Sequence, residues 1–278
     1  MRDVGFVMKD IVENRSHISF GTKLRLASLA LQENGPLWTL QMGLYYVASG
    51  IADSAYAAAA SRRIAKNLPG VNSARMNKVI WDRWDWKAKG EEWSISPAWK
   101  ESVIRHLLRP NVPEQSAVVE IGPGGGRWTE ELIARCRKVT AIDISETCIA
   151  ECQLRFRDAK NAEFIVGSGS DLKPVADASV DAVWSFDVFV HINKPEFSNY
   201  AREFARVLRP GGRGVIQHGA VGGENGGWRS DATTADVATF LQNAGLTVEK
   251  QIVEWQDGDE KFPSGLYGDV VTIFSKPQ

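Results

Sequence analysis

The stretch Val118-Val119-Glu120-Ile121-Gly122-Pro123-Gly124-Gly125-Gly126-Arg127 decides the fold. An apolar run ends in a glycine loop, and a helix-like segment follows from Trp128 to Cys136. The order is strand, tight turn, helix. Glycines let the backbone turn at positive φ and approach a ligand closely. The helix start then presents N–H groups that have no partner within the helix. The spacing narrows the ligand. A dinucleotide loop of the form G-x-G-x-x-G needs its third glycine at position 127, where Arg127 stands. No lysine followed by serine or threonine continues the loop, which disfavours an ATP-type phosphate cradle.

Reading outward toward the C-terminus, strands alternate with helices. Ala117 to Ile121 is the first strand and Lys138 to Ile142 the second, ending at Asp143. A carboxylate there is placed to accept from the two hydroxyls of a ribose. Ser145 caps the next helix. Ala162 to Val166 is the third strand, ending in the polar turn Gly167-Ser168-Gly169-Ser170-Asp171-Leu172. Asp181 to Phe186 is the fourth, running into Asp187 and His191. Gly214 to His218 is the fifth. Leu246 to Trp255 and Leu266 to Ser275 form an antiparallel pair at one edge, joined by a charged loop through Gln256 to Lys261. The alternation implies a mostly parallel sheet with helices on both faces. Ligands bind such sheets outside the C-terminal strand ends. The glycine loop, Asp143, residues 168–171, Asp187 and His218 all map to that edge.

Reading toward the N-terminus, residues 1–96 form a helical extension and 97–278 the sheet domain. Residues 17–35 are helical up to the Gly35-Pro36 break, and a second apolar stretch runs on through an alanine-rich segment. No Lys or Arg occurs between Arg25 and Arg62, but Gln41, Asp53 and the small residues argue against a membrane-spanning helix. A buried or dimer-forming helical hairpin is expected. Of ten tryptophans, Trp81, Trp84, Trp86, Trp93 and Trp99 cluster among acids and bases. Such a stretch either cements an arm to the core or walls a sugar or nucleoside site. The net charge of −1 excludes a broad nucleic-acid footprint. The three cysteines sit in helices and read as core thiols, with no zinc-ligand spacing. The start lacks the long apolar region of a signal peptide, so a cytoplasmic protein is expected.

These residues together resemble the class I S-adenosylmethionine-dependent methyltransferases. The resemblance covers roughly residues 97–275. It rests on Glu120-Ile121-Gly122-Pro123-Gly124-Gly125-Gly126, Asp143, the stretch Ser185 to Ile192, and Leu208-Arg209-Pro210-Gly211-Gly212. It implies a Rossmann-like α/β sheet of seven strands, order 3-2-1-4-5-7-6, with strand 7 antiparallel. It also implies S-adenosyl-L-methionine as cofactor. Glu120 would order the loop or reach the methionine amino group. Gly122, Gly124 and Gly126 would let that moiety lie on the backbone. Asp143 would hold the ribose, and Ile144 would flank the adenine. Gly167 is followed by Ser168 where the family often has an acid, so Ser168, a backbone carbonyl or Asp171, beside Leu172, must serve the adenine. Phe186 and Asp187 would line the methyl-donor side. A looser likeness to methyltransferases of bacterial polysaccharide and secondary-metabolite genes implies a sugar or other hydroxylated small molecule.

Methyl transfer to a hydroxyl needs alignment and removal of one proton. His218, at the end of strand five, is the first base candidate, and His191, four residues after Asp187, the second. Asp187 is read as positioning ligand. A metal held by Asp187, His218 and another acid is conceivable, but no spacing demands it. Trp84, Trp93, Trp228 and Arg229 are the substrate-side candidates, with Gly219 to Gly227 as a mobile lid and Arg229 as an anion clamp or a surface ion-pair residue. N- or C-methylation, and a non-catalytic cofactor-binding partner, remain alternatives.

Overall fold

The computed structural model describes residues 19–66, 68, 70–222 and 229–278. The chain divides into two compact units, one up to Leu68 and one from Pro69 onward.

The first unit is built on helix α1, Phe20–Ala65, whose N-terminus is capped by Ser19 accepting from the Thr22 backbone N–H at 3.2 Å. Gly35 leaves helical geometry at φ 79° and ψ 171°, and Pro36 begins a second arm. The arms fold back on each other. Lys23 Nζ lies 5.6 Å from the centre of the Tyr46 ring. A straight helix would hold those residues roughly 35 Å apart at about 1.5 Å per residue. Among the described residues no helix is long and apolar enough to cross a membrane.

The second unit begins with helix α2, Ala74–Trp81, and two single helical turns, Trp86–Ala88 and Glu91–Trp93. The Trp-rich stretch therefore belongs to the same compact unit as the sheet. Helix α3, Pro97–Val103, follows, with Ser96 accepting from Trp99 N–H and Pro97 in the first turn. A wider turn carries it on through Leu108 to Asn111.

The sheet contains β1 Ala117–Ile121, β2 Lys138–Asp143, β3 Ala162–Val166, β4 Val180–Ser185, β5 Leu208–His218, β6 Thr247–Ile252 and β9 Val270–Ser275. Helices α4 Thr129–Arg135, α5 Glu146–Arg155, α6 Lys194–Val207 and α7 Thr234–Asn243 connect them. Strand order is β3-β2-β1-β4-β5-β9-β6, with β9 antiparallel to both neighbours. This is the Rossmann-like order expected from the sequence, with β9 as the seventh strand. The central strand β1 is buried along its whole length, as a strand covered on both faces must be. Val119 and Ile121 join Phe197, Phe204 and Phe274 in one core layer. Val118 joins Trp99, Leu107, Trp128 and Trp184 in the other. Alternation along the strand feeds both layers.

One element departs from the sequence reading. The charged loop read through residues 256–261 is the turn of a second small sheet, β7 Glu254–Asp257 paired with β8 Glu260–Pro263. Its turn uses Gly258 at φ 61°. It is tied to α3 by Trp255 Nε1 donating to Ser102 Oγ (2.8 Å) and Trp99 Nε1 donating to the Pro263 carbonyl (2.8 Å).

Candidate active site

The C-terminal edge of the sheet opens into a cleft of about 310 Å³. Its floor begins at the glycine loop. Gly122 and Gly124 take φ of 69° and 55°, the left-handed region, and both line the cleft. Helix α5 fixes the loop from behind. Cys152 Sγ donates to the Gly124 carbonyl at 3.2 Å, and Arg155 Nη1 donates to Gly125 and Gly126 carbonyls at 2.8 and 2.9 Å. Gly126 does not line the cleft. A Cβ there would meet Phe156, so its role is close packing against α5.

Asp143 lines the cleft beside the loop. One carboxylate oxygen accepts from Ser145 N–H at 2.9 Å and the other from Gly124 N–H at 3.3 Å. Each oxygen has a second lone pair for a ligand hydroxyl. Burial raises this carboxyl to about 6, and the backbone hydrogen bonds oppose that rise. Ile144 and Gly169 border the same end, and the Ile144 side chain packs where a Gly169 Cβ would stand.

Glu120 lies beneath the loop and does not line the cleft. Its Oε2 accepts from Thr129 Oγ1 at 2.7 Å, while Oε1 has no partner among the described residues. Burial raises it to about 7. Ser168 is exposed and turns inward on its own loop, accepting from Ser170 and Asp171 N–H at 3.1 Å. Asp171 pairs with Lys173, and Leu172 is buried in the core under α6. None of these three lines the cleft, because the turn after β3 bends back on itself and brings only Gly169 to the edge.

Across the cleft, Phe186, Asp187 and His191 line the β4 side. Asp187 adopts φ 62° and is ion-paired with Arg127, which is 5% exposed and stacks 4.7 Å from the Trp128 ring centre. Asp187 N–H donates to Gln217 Oε1 at 2.8 Å, and Gln217 Nε2 donates to Asp269 Oδ2 at 3.0 Å. Asp269 is in turn ion-paired with Arg229, whose guanidinium lies 5.2 Å from the Tyr267 ring centre. Arg127, Gln217, Asp269 and Tyr267 were not singled out by the sequence. Arg127 registered there only as a missing glycine.

The fourth wall is the Trp-rich segment. Trp81, Trp86 and Trp93 line the cleft, with ring centres 5.9 to 6.1 Å apart. A Cβ on Gly124 would come within 2.8 Å of Trp86, and one on Gly125 within 2.6 Å of the Lys89 backbone, so the segment lies directly on the glycine loop. Asp82 anchors it by accepting from Ser145 Oγ at 2.7 Å. Trp84 faces a separate recess with Lys87, Lys89 and Arg155, and donates to Glu92 at 2.8 Å. Trp228 and most of the expected lid lie outside the described residues. Asn77 completes the wall. Its Nδ2 donates to two carbonyls, Asn72 at 3.4 Å and His191 at 3.2 Å, which turns Oδ1 away from them. That oxygen is buried and has no partner among the described residues; neither has Trp128 Nε1, on the same cleft.

The placement of His218 corrects the expectation that it faces the crevice. It is buried beneath the edge. Nδ1 lies 2.8 Å from the Gly219 carbonyl, which can only accept, so Nδ1 carries the proton. Nε2 then accepts from Thr272 Oγ1 at 2.7 Å. Burial lowers its pKa to about 4, so the ring is neutral and fully engaged. Adjacent side chains on a strand point to opposite faces; Gln217 reaches Asp187 and Asp269, which line the cleft. His191 lines the cleft, 5.4 Å from the Trp81 ring centre. Among the described residues no three His, Cys, Asp or Glu side chains gather to hold a metal ion.

Residues 119–216 match the family model described as a methyltransferase domain, and the strand order is that of a Rossmann-like methyltransferase fold. S-adenosyl-L-methionine is the cofactor of that domain. A probable S-adenosylmethionine-dependent methyltransferase of Mycobacterium tuberculosis is 32% identical over 113 residues, which cover 41% of this chain and 39% of the relative. The match thus spans about two fifths of that relative's length. The ubiquinone biosynthesis O-methyltransferase of Xanthomonas axonopodis pv. citri is 26% identical over 191 residues, 60% of this chain and 77% of that protein. Among solved structures, the N-methyltransferase NodS of Bradyrhizobium japonicum WM9 in complex with S-adenosylhomocysteine superposes with a TM-score of 0.53 at 18% identity, covering 68% and 93% of the two chains. The [4+2]-cyclase SpnF superposes at 0.51 with 16% identity over 70% and 85%. The fold is common to these proteins and their named activities differ.

Proposed function

We propose that the protein transfers a methyl group from S-adenosylmethionine to a hydroxyl of a small molecule, a sugar or glycosylated metabolite. The observation that carries the acceptor class is the wall opposite the glycine loop. Three indoles offer flat apolar faces, and Asn77 of the same wall has a buried Oδ1 with no partner among the described residues. A buried acceptor atom without a partner beside a cleft suits a ligand O–H.

The residues fit the cofactor along its length. The slot beside Ile144 and Gly169 takes the flat base, Asp143 the ribose hydroxyls, and the glycine loop the chain leading to sulfur. Arg127 and Asp187 carry opposite charges side by side at the far end. An amino-acid end group carries a carboxylate and an ammonium, so each finds its opposite there. The bound cofactor supplies an activated methyl on a sulfonium, which leaves with the C–S electron pair going to sulfur. Asn77 Oδ1 orients the acceptor hydroxyl, and an imidazole nitrogen of His191 takes its proton. The indoles exclude water. Residues 70–96 act as the cover of the cofactor site.

Incubation with a methyl-labelled donor and a panel of glycosides, phenols and amines tests this reading. Label should enter glycosides, and His191→Gln should lower turnover more than His218→Gln. Label confined to amines, or none in any acceptor, would overturn it.

A further inference from the structure

The second arm of α1 carries a stripe that its own hairpin leaves uncovered. Thr39, Met42, Tyr46 and Ser49 are half-buried and form the face turned to the first arm. Leu37, Leu40, Leu44, Val47 and Ile51 are between 59% and 68% exposed. Their spacing alternates three and four residues, the repeat of a coiled-coil seam. At about 100° per residue the two sets lie on opposite faces of the arm. The same seam continues through Ser54, Ala58, Ser61 and Ala65. It is therefore bulky in its first half and small in its second.

The arms also differ in length. Residues 20–34 flank only the first half of 36–65, and the small half extends beyond them. We propose that a second copy of this chain packs along the stripe, antiparallel and centred on Ile51. In that register Leu44 of each copy is level with Ala58 of the other and Leu37 with Ala65, while Val47 is level with Ala55 beside Ser54, and Leu40 with Arg62 beside Ser61. Leu37, Leu44 and Val47 thus meet small side chains, which is how helices interdigitate at native density. Ile51 meets its own counterpart on the two-fold axis, as a self-complementary interface requires. Two hairpins joined this way make a four-helix bundle.

The contact is about 45 Å long and roughly 11 Å wide, on the order of 500 Å² per copy. Two copies reach roughly 1,000 Å², the lower bound for a specific interface. A membrane surface is the poorer occupant. Interfacial helices present lysines and arginines on their polar face, and none occurs between Arg25 and Arg62.

Sedimentation equilibrium of the full chain provides the test, independent of any catalytic reading. The mass should be twice 30.7 kDa at about 100 μM chain. Leu44→Glu should raise the dimer dissociation constant at least about tenfold and leave S-adenosylhomocysteine affinity unchanged. The exchanged pair Leu44→Ala with Ala58→Leu should recover the dimer that either change alone weakens. Ile51→Cys should cross-link to itself under mild oxidation, against a quiet background because Cys136, Cys148 and Cys152 are buried. Leu44→Cys should not, since its two copies would stand roughly 20 Å apart, beyond disulfide reach. A monomer at that concentration, or self-linking of Leu44→Cys as efficient as that of Ile51→Cys, would overturn the proposal.

Discussion

Replacing Arg127 by methionine separates recognition of the cofactor's amino-acid end from recognition of its nucleoside. Methionine keeps an apolar stem over Trp128, where the guanidinium stacks at 4.7 Å. It removes the charge facing Asp187. A charge-assisted hydrogen bond contributes about 1.5–3 kcal/mol. The dissociation constant of S-adenosylhomocysteine should therefore rise roughly 10- to 100-fold. Asp187, left without its partner, repels the ligand carboxylate and pushes in the same direction. Methylthioadenosine carries the same base, ribose and sulfur but no amino-acid group. Its affinity should change less than about twofold, within the few tenths of a kcal/mol expected of an uninvolved position. Arg127→Lys should fall between, because a point charge replaces a planar fork. Isothermal titration of both ligands against the three proteins measures the difference. Equal weakening of both ligands would mean that Arg127 acts through the fold. No weakening of either would remove the pair from the cofactor site.

Two further outcomes follow from the site. Glu120 is raised by burial from 4.5 to about 7. The unfolded chain ionises it freely above its ordinary value, so the cofactor-free protein loses stability as pH climbs toward 7 and no further beyond. Glu120→Gln should remove that loss, about 3 kcal/mol at pH 8 and nothing near pH 4 by denaturant unfolding. A uniform shift at both pH values would refute the burial argument. Gly124→Ala places a Cβ 2.8 Å from Trp86 at φ 55°. It should weaken S-adenosylhomocysteine at least tenfold, since strain of about 1–2 kcal/mol adds to displacement of the indole. Unchanged affinity would show that Trp86 does not cover the loop in solution.

Much of this was legible in the chain because parallel sheets write themselves plainly. A strand buried on both faces is a continuous apolar run, and the glycine loop and Asp143 sit where such runs stop. What stayed hidden depends on direction. The sequence does not say which of Gln217 and His218 points toward the cleft-lining residues; the hydrogen bonds settle it, with Gln217 reaching Asp187 and Asp269 and His218 reaching Gly219 and Thr272. Arg127 read as an absence because the glycine pattern was the template, and its partner is 60 residues away. The turn after β3 read as cleft lining from its polarity, whereas Ser168 spends its hydroxyl on its own loop. The hairpin of β7 and β8 had a signal. Asp257-Gly258-Asp259 lies between Trp255 and Phe262, a turn dipeptide flanked by aromatic residues, but strands of four residues are too short for alternation to be evident.

The central claim is that the cleft is built for S-adenosylmethionine and not for a dinucleotide. Calorimetric titration of the full chain with S-adenosylhomocysteine, with NAD in a parallel cell, tests it directly. The account predicts one site for S-adenosylhomocysteine with a dissociation constant on the order of 10 μM or tighter, and no heat from NAD. Preferential binding of NAD, or no binding of S-adenosylhomocysteine, would contradict it.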